Sequence, residues 1–174
     1  NVRMTTKPVQ RPHPPILMAA GGPQSAQKAA ERGYGLAMGM GPAHATYVET
    51  LRARGLDPAR AQIVSGPVGI HLADTTQQAW DEAEEPLRAW LEFYRRRGAP
   101  FVPSVPPAGE FRRTPGIGFA GMPFFVGTVD EIGPRLRALF HQAPLDELAL
   151  YFHLPGIPLE SVKKSMALFA RHIL

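Results

Sequence analysis

The sequence has 174 residues, 44% of them hydrophobic, enough for one globular unit with a sizeable core. Its 19 Lys+Arg against 15 Asp+Glu leave a formal charge of only +4, and the basic runs Arg95-Arg96-Arg97, Arg112-Arg113 and Lys163-Lys164 carry no interleaved aromatics, which argues against a nucleic-acid platform. Cysteine is absent, which excludes disulfides, thiolate metal ligands and thiol nucleophiles.

No stretch approaches the ~18 continuous apolar residues of a membrane span, and no signal peptide opens the chain. A cytoplasmic protein without membrane or nucleic-acid partners is therefore expected. The first residue is Asn1 rather than Met, and the chain from Val2 onward has the texture of mid-protein sequence, so a preceding segment is expected as well.

Residues 1–15, rich in proline and basic side chains, suit an extended lead-in. Residues 16–20 form a short apolar strand, followed by Gly21-Gly22-Pro23 and a small-residue helix over 24–32, with Gly33 placed to end it. A second apolar segment covers 34–40; after Gly41-Pro42 a helix runs to about Arg54 and closes on Gly55.

Residues 62–73 form a third strand, nearly all apolar from Val68 on, as in a sheet covered on both faces. Asp74 with Gln77 predicts a capping box, opening a long helix that buries Trp80, Ala83, Leu87, Trp90 and Tyr94. Pro86 should kink that helix or begin a second one. Residues 98–126, full of Gly and Pro without a sustained period, read as an irregular insertion and pocket lid.

Thr128 with Glu131 predicts another capping box and a helix to about His141. Residues 148–153 make a fourth strand. After Leu154-Pro155-Gly156 a last amphipathic helix carries Leu159, Val162, Met166, Phe169 and Ile173 on one face. Strand and helix thus alternate four times, which predicts a parallel α/β sheet with crossover helices. Four such units suit either half of a closed barrel or a small doubly wound sheet.

Several segments resemble the luciferase-like flavin monooxygenase family. Lys7-Pro8-Val9-Gln10-Arg11-Pro12-His13-Pro14-Pro15-Ile16 is similar to the family's lead into its fifth barrel strand, and Ala19-Ala20-Gly21-Gly22-Pro23-Gln24-Ser25-Ala26 to the glycine turn and helix after it. Ala73-Asp74-Thr75 with Ala79-Trp80 resembles the end of the seventh strand. Val126-Gly127-Thr128-Val129-Asp130-Glu131-Ile132 and Phe152-His153-Leu154-Pro155-Gly156 look like the last helix-strand unit and the eighth strand's exit. Their order and spacing across nearly the whole chain carry the resemblance.

The resemblance implies a (β/α)8 TIM-barrel type of which residues 1–174 supply only the four carboxyl-terminal β/α units. Strands one to four, with many of the family's flavin contacts, would then lie elsewhere, and this chain would not be self-sufficient. Its partners would be the missing amino-terminal half or a second copy in a homo-oligomer.

Ala20, Gly21, Gly22, Gln24 and Ser25 are the cofactor-binding candidates. They stand at a strand's carboxyl end, where barrel active sites form. Pro23 at the first helical position leaves the N–H groups of Gln24 and Ser25 free to meet an anion, and the resemblance puts the flavin's ribityl-phosphate arm there. The alternative is an ordinary turn that uses glycine for its geometry alone. His153, at the exit of the fourth strand, is the catalytic candidate, able to donate to flavin or substrate or to carry protons; the alternative is a rim histidine bonded to a loop. His71 reads as a satisfied core residue, His13 as exposed, and Asp130 and Glu131 as helix caps. The six histidines show no HxxxH or HxH spacing, so no metal is expected.

The resemblance implies a monooxygenase using reduced FMN and oxygen on a small organic substrate. Deazaflavin-dependent hydride transfer is the alternative. A non-catalytic barrel fragment that binds flavin or a partner chain is a third reading, from a different functional class.

Overall fold

A computed structural model of the chain describes residues 6–37, 42–99, 102, 104–113, 118–119, 122–141 and 146–173. The chain divides into two compact units, Asn1–Ser65 with Leu145–Glu147 and Gly66–Pro144 with Leu148–Leu174.

In the first unit, β1 (Leu17–Ala19) leads to α1 (Pro23–Glu31), β2 (Gly35–Ala37), α2 (Pro42–Ala53) and the start of β3 (Ile63–Leu72). Pro23 presets the φ of the first helical turn of α1. Gly33 ends the same helix at φ 70°, a left-handed conformation that other residues rarely take. The strands pair in parallel, Leu17 on Gly35 and Ala19 on Ala37, then Leu36 on Ile63. Ala26, Ala29 and Ala30 are wholly buried, and with Leu36, Tyr47 and Leu51 they fill the space around the strands. Small side chains let α1 pack close, and this is why its sequence is so poor in large apolar residues. Of the second predicted strand, 34–40, the structure contains Gly35–Ala37; residues 38–40 lie outside the described residues.

The second unit takes the rest of β3, then α3 (Thr76–Arg96), β4 (Gly118–Phe119), β5 (Met122–Gly127), α4 (Val129–His141), β6 (Glu147–Tyr151, beginning in the first unit) and α5 (Leu159–His172). β5 pairs in parallel with β3, Gly69 on Phe124 through Leu72 on Gly127, and β4 pairs antiparallel with β5. β6 also pairs with β3. Ala79, Trp80, Ala83, Leu87 and Leu91 of α3 pack with Phe111, Phe124, Val126, Leu154 and Val162 in the core of this unit.

Four sequence expectations are corrected in this unit. The stretch 98–126 is not wholly irregular: it contains β4 and most of β5. The cap of α3 is Thr75, whose hydroxyl accepts from the Gln78 N–H at 3.1 Å, while Asp74 instead pairs with Lys164. Pro86 does not begin a second helix: α3 runs unbroken from Thr76 to Arg96 across it, with Ala83 and Leu87 on either side fully buried. On α5, Leu159 and Met166 are exposed, and Ser165 takes an inward place beside Val162 and Phe169.

The second capping box forms as the sequence predicted. The Thr128 N–H donates to Glu131 at 3.0 Å, and the Glu131 N–H donates to the Thr128 hydroxyl at 3.4 Å. No helix among the described residues is long and apolar enough to cross a membrane.

Candidate functional site

β1 delivers the glycine turn. Ala20, wholly buried, donates its N–H to the Ala37 carbonyl at 3.1 Å and ties the turn to the end of β2. Gly22 is the N-cap of α1 in an extended conformation, with φ −156°. The Ser25 hydroxyl and the Ala26 N–H both donate to the Gly22 carbonyl, at 2.9 and 3.1 Å.

Pro23 has no N–H. The N–H groups of Gln24 and Ser25 belong to the first turn, where a helix offers no internal acceptor. No side chain caps this end and no acidic residue stands in the first turn, so the positive end of the helix dipole is uncompensated.

The turn opens on a cleft of about 670 Å³ lined by Met18, Gly22, Pro23, Gln24, Ser25 and Lys28. A β-carbon on Gly21 or Gly22 would meet nothing within 4 Å, and neither residue has a positive φ. Neither packing nor backbone geometry therefore demands glycine at these two positions. What glycine leaves is open space directly before the helix.

The structure brings Ala20, Gly21, Gly22, Gln24 and Ser25 together in this one turn. Lys28, which sequence reasoning passed over, adds the only formal charge on the cleft wall among the described residues; its spacing of four from Gln24, which stacks the two on one helix face, was the available signal. His44, also passed over, lies in the first turn of α2. Its Nε2 is buried without a hydrogen-bond partner among the described residues, and burial pushes its pKa down.

His153 belongs to the other unit, two residues beyond the end of β6. It is exposed, between Phe152, whose ring packs on Phe169 at 5.4 Å, and the buried Leu154. No hydrogen bond to its ring occurs among the described residues. His13 is exposed, as the sequence suggested.

His71 is fully buried but only half satisfied, which corrects the sequence reading. Its Nε2 lies 2.8 Å from Glu82 Oε2, and its Nδ1 has no partner among the described residues. Burial pushes the Glu82 carboxyl up, yet hydrogen bonds from Gln78, His71 and Ser161 outweigh it and hold the group below the usual carboxylate range.

The family model described as luciferase-like monooxygenase matches residues 1–147. The chain belongs to this family. The match contains the whole glycine turn and stops short of His153.

Among solved structures the family member is similar to monooxygenase RslO1 from Streptomyces bottropensis, at 26% identity and TM-score 0.69, over 98% of this chain and 50% of that one. It also resembles the oxygenating constituent of 3,6-diketocamphane monooxygenase of Pseudomonas putida in complex with FMN, at 19% identity and TM-score 0.59, covering 91% and 47%. An F420-dependent secondary alcohol dehydrogenase, in complex with an F420-acetone adduct, matches at 18% and 0.59, covering 91% and 48%. No curated protein matches the chain. The chain thus has the α/β fold of luciferase-like TIM-barrel enzymes and spans about half the length of these structures.

Proposed function

We propose that residues 1–174 act as the carboxyl-terminal half of a cytoplasmic flavin-dependent monooxygenase that uses reduced FMN and oxygen on a small organic substrate. The observation that carries this reading is the glycine turn: an uncapped helix start with free space before it and a lysine on its wall. In this reading the Gln24 and Ser25 N–H groups hold the cofactor's phosphate, and Lys28 offsets its charge. Ala20 fixes the turn against β2, and His153 donates a hydrogen bond or holds a proton at its ring. The reduced flavin, when bound, supplies the oxygen chemistry, so the protein needs no triad of its own. The likeness to a monooxygenase at 26% identity supports oxygen as the co-substrate.

The remaining strands of the barrel come from an amino-terminal half or from a second copy. The F420-dependent neighbour supports the second reading, hydride transfer with a deazaflavin. Titration of the assembled barrel with FMN and with F420, followed by absorbance, separates the two. Saturable FMN binding with oxygen uptake on reduction is expected. Tighter F420 binding would replace the first reading with the second, and binding of neither would leave a non-catalytic fragment.

A further inference from the structure

The amino-terminal ends of β1, β2 and β3, opposite the glycine turn, enclose a second cavity of about 600 Å³ within the first unit. Its volume lies in the range of small-molecule pockets. Pro15, Ile16, Leu51 and Leu56 give it an apolar body, with the rings of Tyr34 and Tyr47 alongside. Barrel active sites form at the other strand ends, so this cavity is not part of the flavin reading.

Among the described residues its polar side chains offer mainly acceptors, the free donors being the Tyr34 hydroxyl and the second N–H of the Gln62 amide. His13 Nδ1 sits 2.7 Å from the Pro14 carbonyl, which can only accept, so in the neutral ring Nε2 is an acceptor. Gln62 Nε2 donates to Glu147 at 3.4 Å and leaves its Oε1 unengaged. The Tyr47 hydroxyl donates to the Tyr34 carbonyl at 2.9 Å.

Asp57 Oδ1 accepts the Ala59 N–H at 3.0 Å, and its second oxygen is unused among the described residues. Among the described side chains neither Lys nor Arg lines the cavity, and Asp57 has no ion pair. An anion would find no cation among them. A wholly apolar guest would strip water from three acceptors and give nothing back.

We propose that this cavity binds a small organic ammonium ion, its apolar body against Ile16, Leu51 and Leu56 and its N–H groups on Asp57, Gln62 and His13. The ligand combines positive charge, several donors and a compact hydrophobic group. Tyr34 adds an aromatic surface that favours a cation.

The test is calorimetric titration of the 174-residue chain with 2-phenylethylammonium, at mildly alkaline pH, where imidazoles are neutral and alkylamines remain charged. Amide NMR shifts at Tyr34, Leu56 and Gln62 report the location. Saturable binding is expected, weakened by about tenfold or more when 2-phenylethanol replaces the ammonium or when Asp57→Asn removes the charge. The asparagine keeps an oxygen for the Ala59 N–H, so the fold should survive.

Leu56→Lys, at a residue 45% exposed, brings a tethered ammonium to the cavity and should abolish probe binding without threatening the core. Equal affinity for the alcohol overturns the proposal. So do an unchanged Leu56→Lys variant, a folded Asp57→Asn variant with wild-type affinity, and the absence of saturable binding.

Discussion

Gly69 of β3 and Phe124 of β5 are register partners, and the Phe124 ring occupies the place where a β-carbon on residue 69 would have to sit. The ring is 8% exposed and belongs to the core of the second unit. Gly69→Ala should therefore overpack a site that cannot yield by rotating one flexible side-chain end. We expect a loss of about 1–3 kcal/mol in urea unfolding. Adding Phe124→Leu to Gly69→Ala should cost less than the sum of the two single changes. Strict additivity would show that ring and glycine do not meet.

That pair also marks the limit of what the sequence disclosed. The four strand-helix alternations were legible because β3, α3, α4 and α5 carry apolar periods and caps such as Thr128 with Glu131. β5 was not: Pro123 interrupts its short apolar run, Gly127 closes it, and its partner strand is far away in sequence. Without β5, Gly69 has no visible purpose. Ser165 was missed for a related reason. It is fully buried because its hydroxyl oxygen accepts the Leu72 N–H at 2.8 Å, a tertiary contact invisible to an amphipathic count that selects only apolar residues. In the site, the small residues of the turn were legible. Lys28 was not, since exposed helical lysines are usually solvated.

The His71–Glu82 pair predicts a pH effect with a definite sign. The folded-state pKa of Glu82 lies below its ordinary value of 4.5. The unfolded chain therefore takes up this proton at higher pH than the folded one. The stabilisation is fully present above about pH 4.5 and is lost as pH falls through the lowered folded value. Glu82→Gln should be less stable than wild type at neutral pH by about 1–3 kcal/mol, since it weakens the bond to a buried imidazole. The gap should narrow on acidification below pH 4.5, as measured by urea unfolding across pH. A gap independent of pH would remove Glu82 from the account.

Gly22→Leu separates the two readings of the glycine turn. Its extended backbone suits any residue, and the added β-carbon meets nothing, so unfolding should change by no more than about 0.5 kcal/mol. The isobutyl group would stand where an anion must approach the Gln24 and Ser25 N–H groups. FMN affinity of the assembled barrel should fall by about tenfold or more. Unchanged affinity in a flavin titration would return the turn to a plain strand-to-helix connection.

The last expectation concerns association. In the first unit, Ile16 and Leu17 are 37% and 39% exposed, and β1 alternates exposed, half-buried, exposed along Leu17–Ala19. In the second, β6 alternates in the same way, and Tyr151 is 39% exposed. The bare face of β1, Leu17 and Ala19, is apolar and expects a partner across from it, while that of β6 carries Glu147 beside Ala149 and Tyr151. β1 also ends the strand order, so one of its sides offers unpaired N–H and C=O groups. A charge on such an edge discourages pairing. Leu17→Lys should therefore shift the chain towards monomer, while light scattering on the unmodified chain at micromolar concentration should give a mass of twice 19.0 kDa or more. Co-expression with an amino-terminal barrel half should replace that self-association with a one-to-one complex, because both would cover the same strand faces. An unmodified chain that stays monomeric, unfolds cooperatively and behaves like Leu17→Lys would show that these faces need no cover.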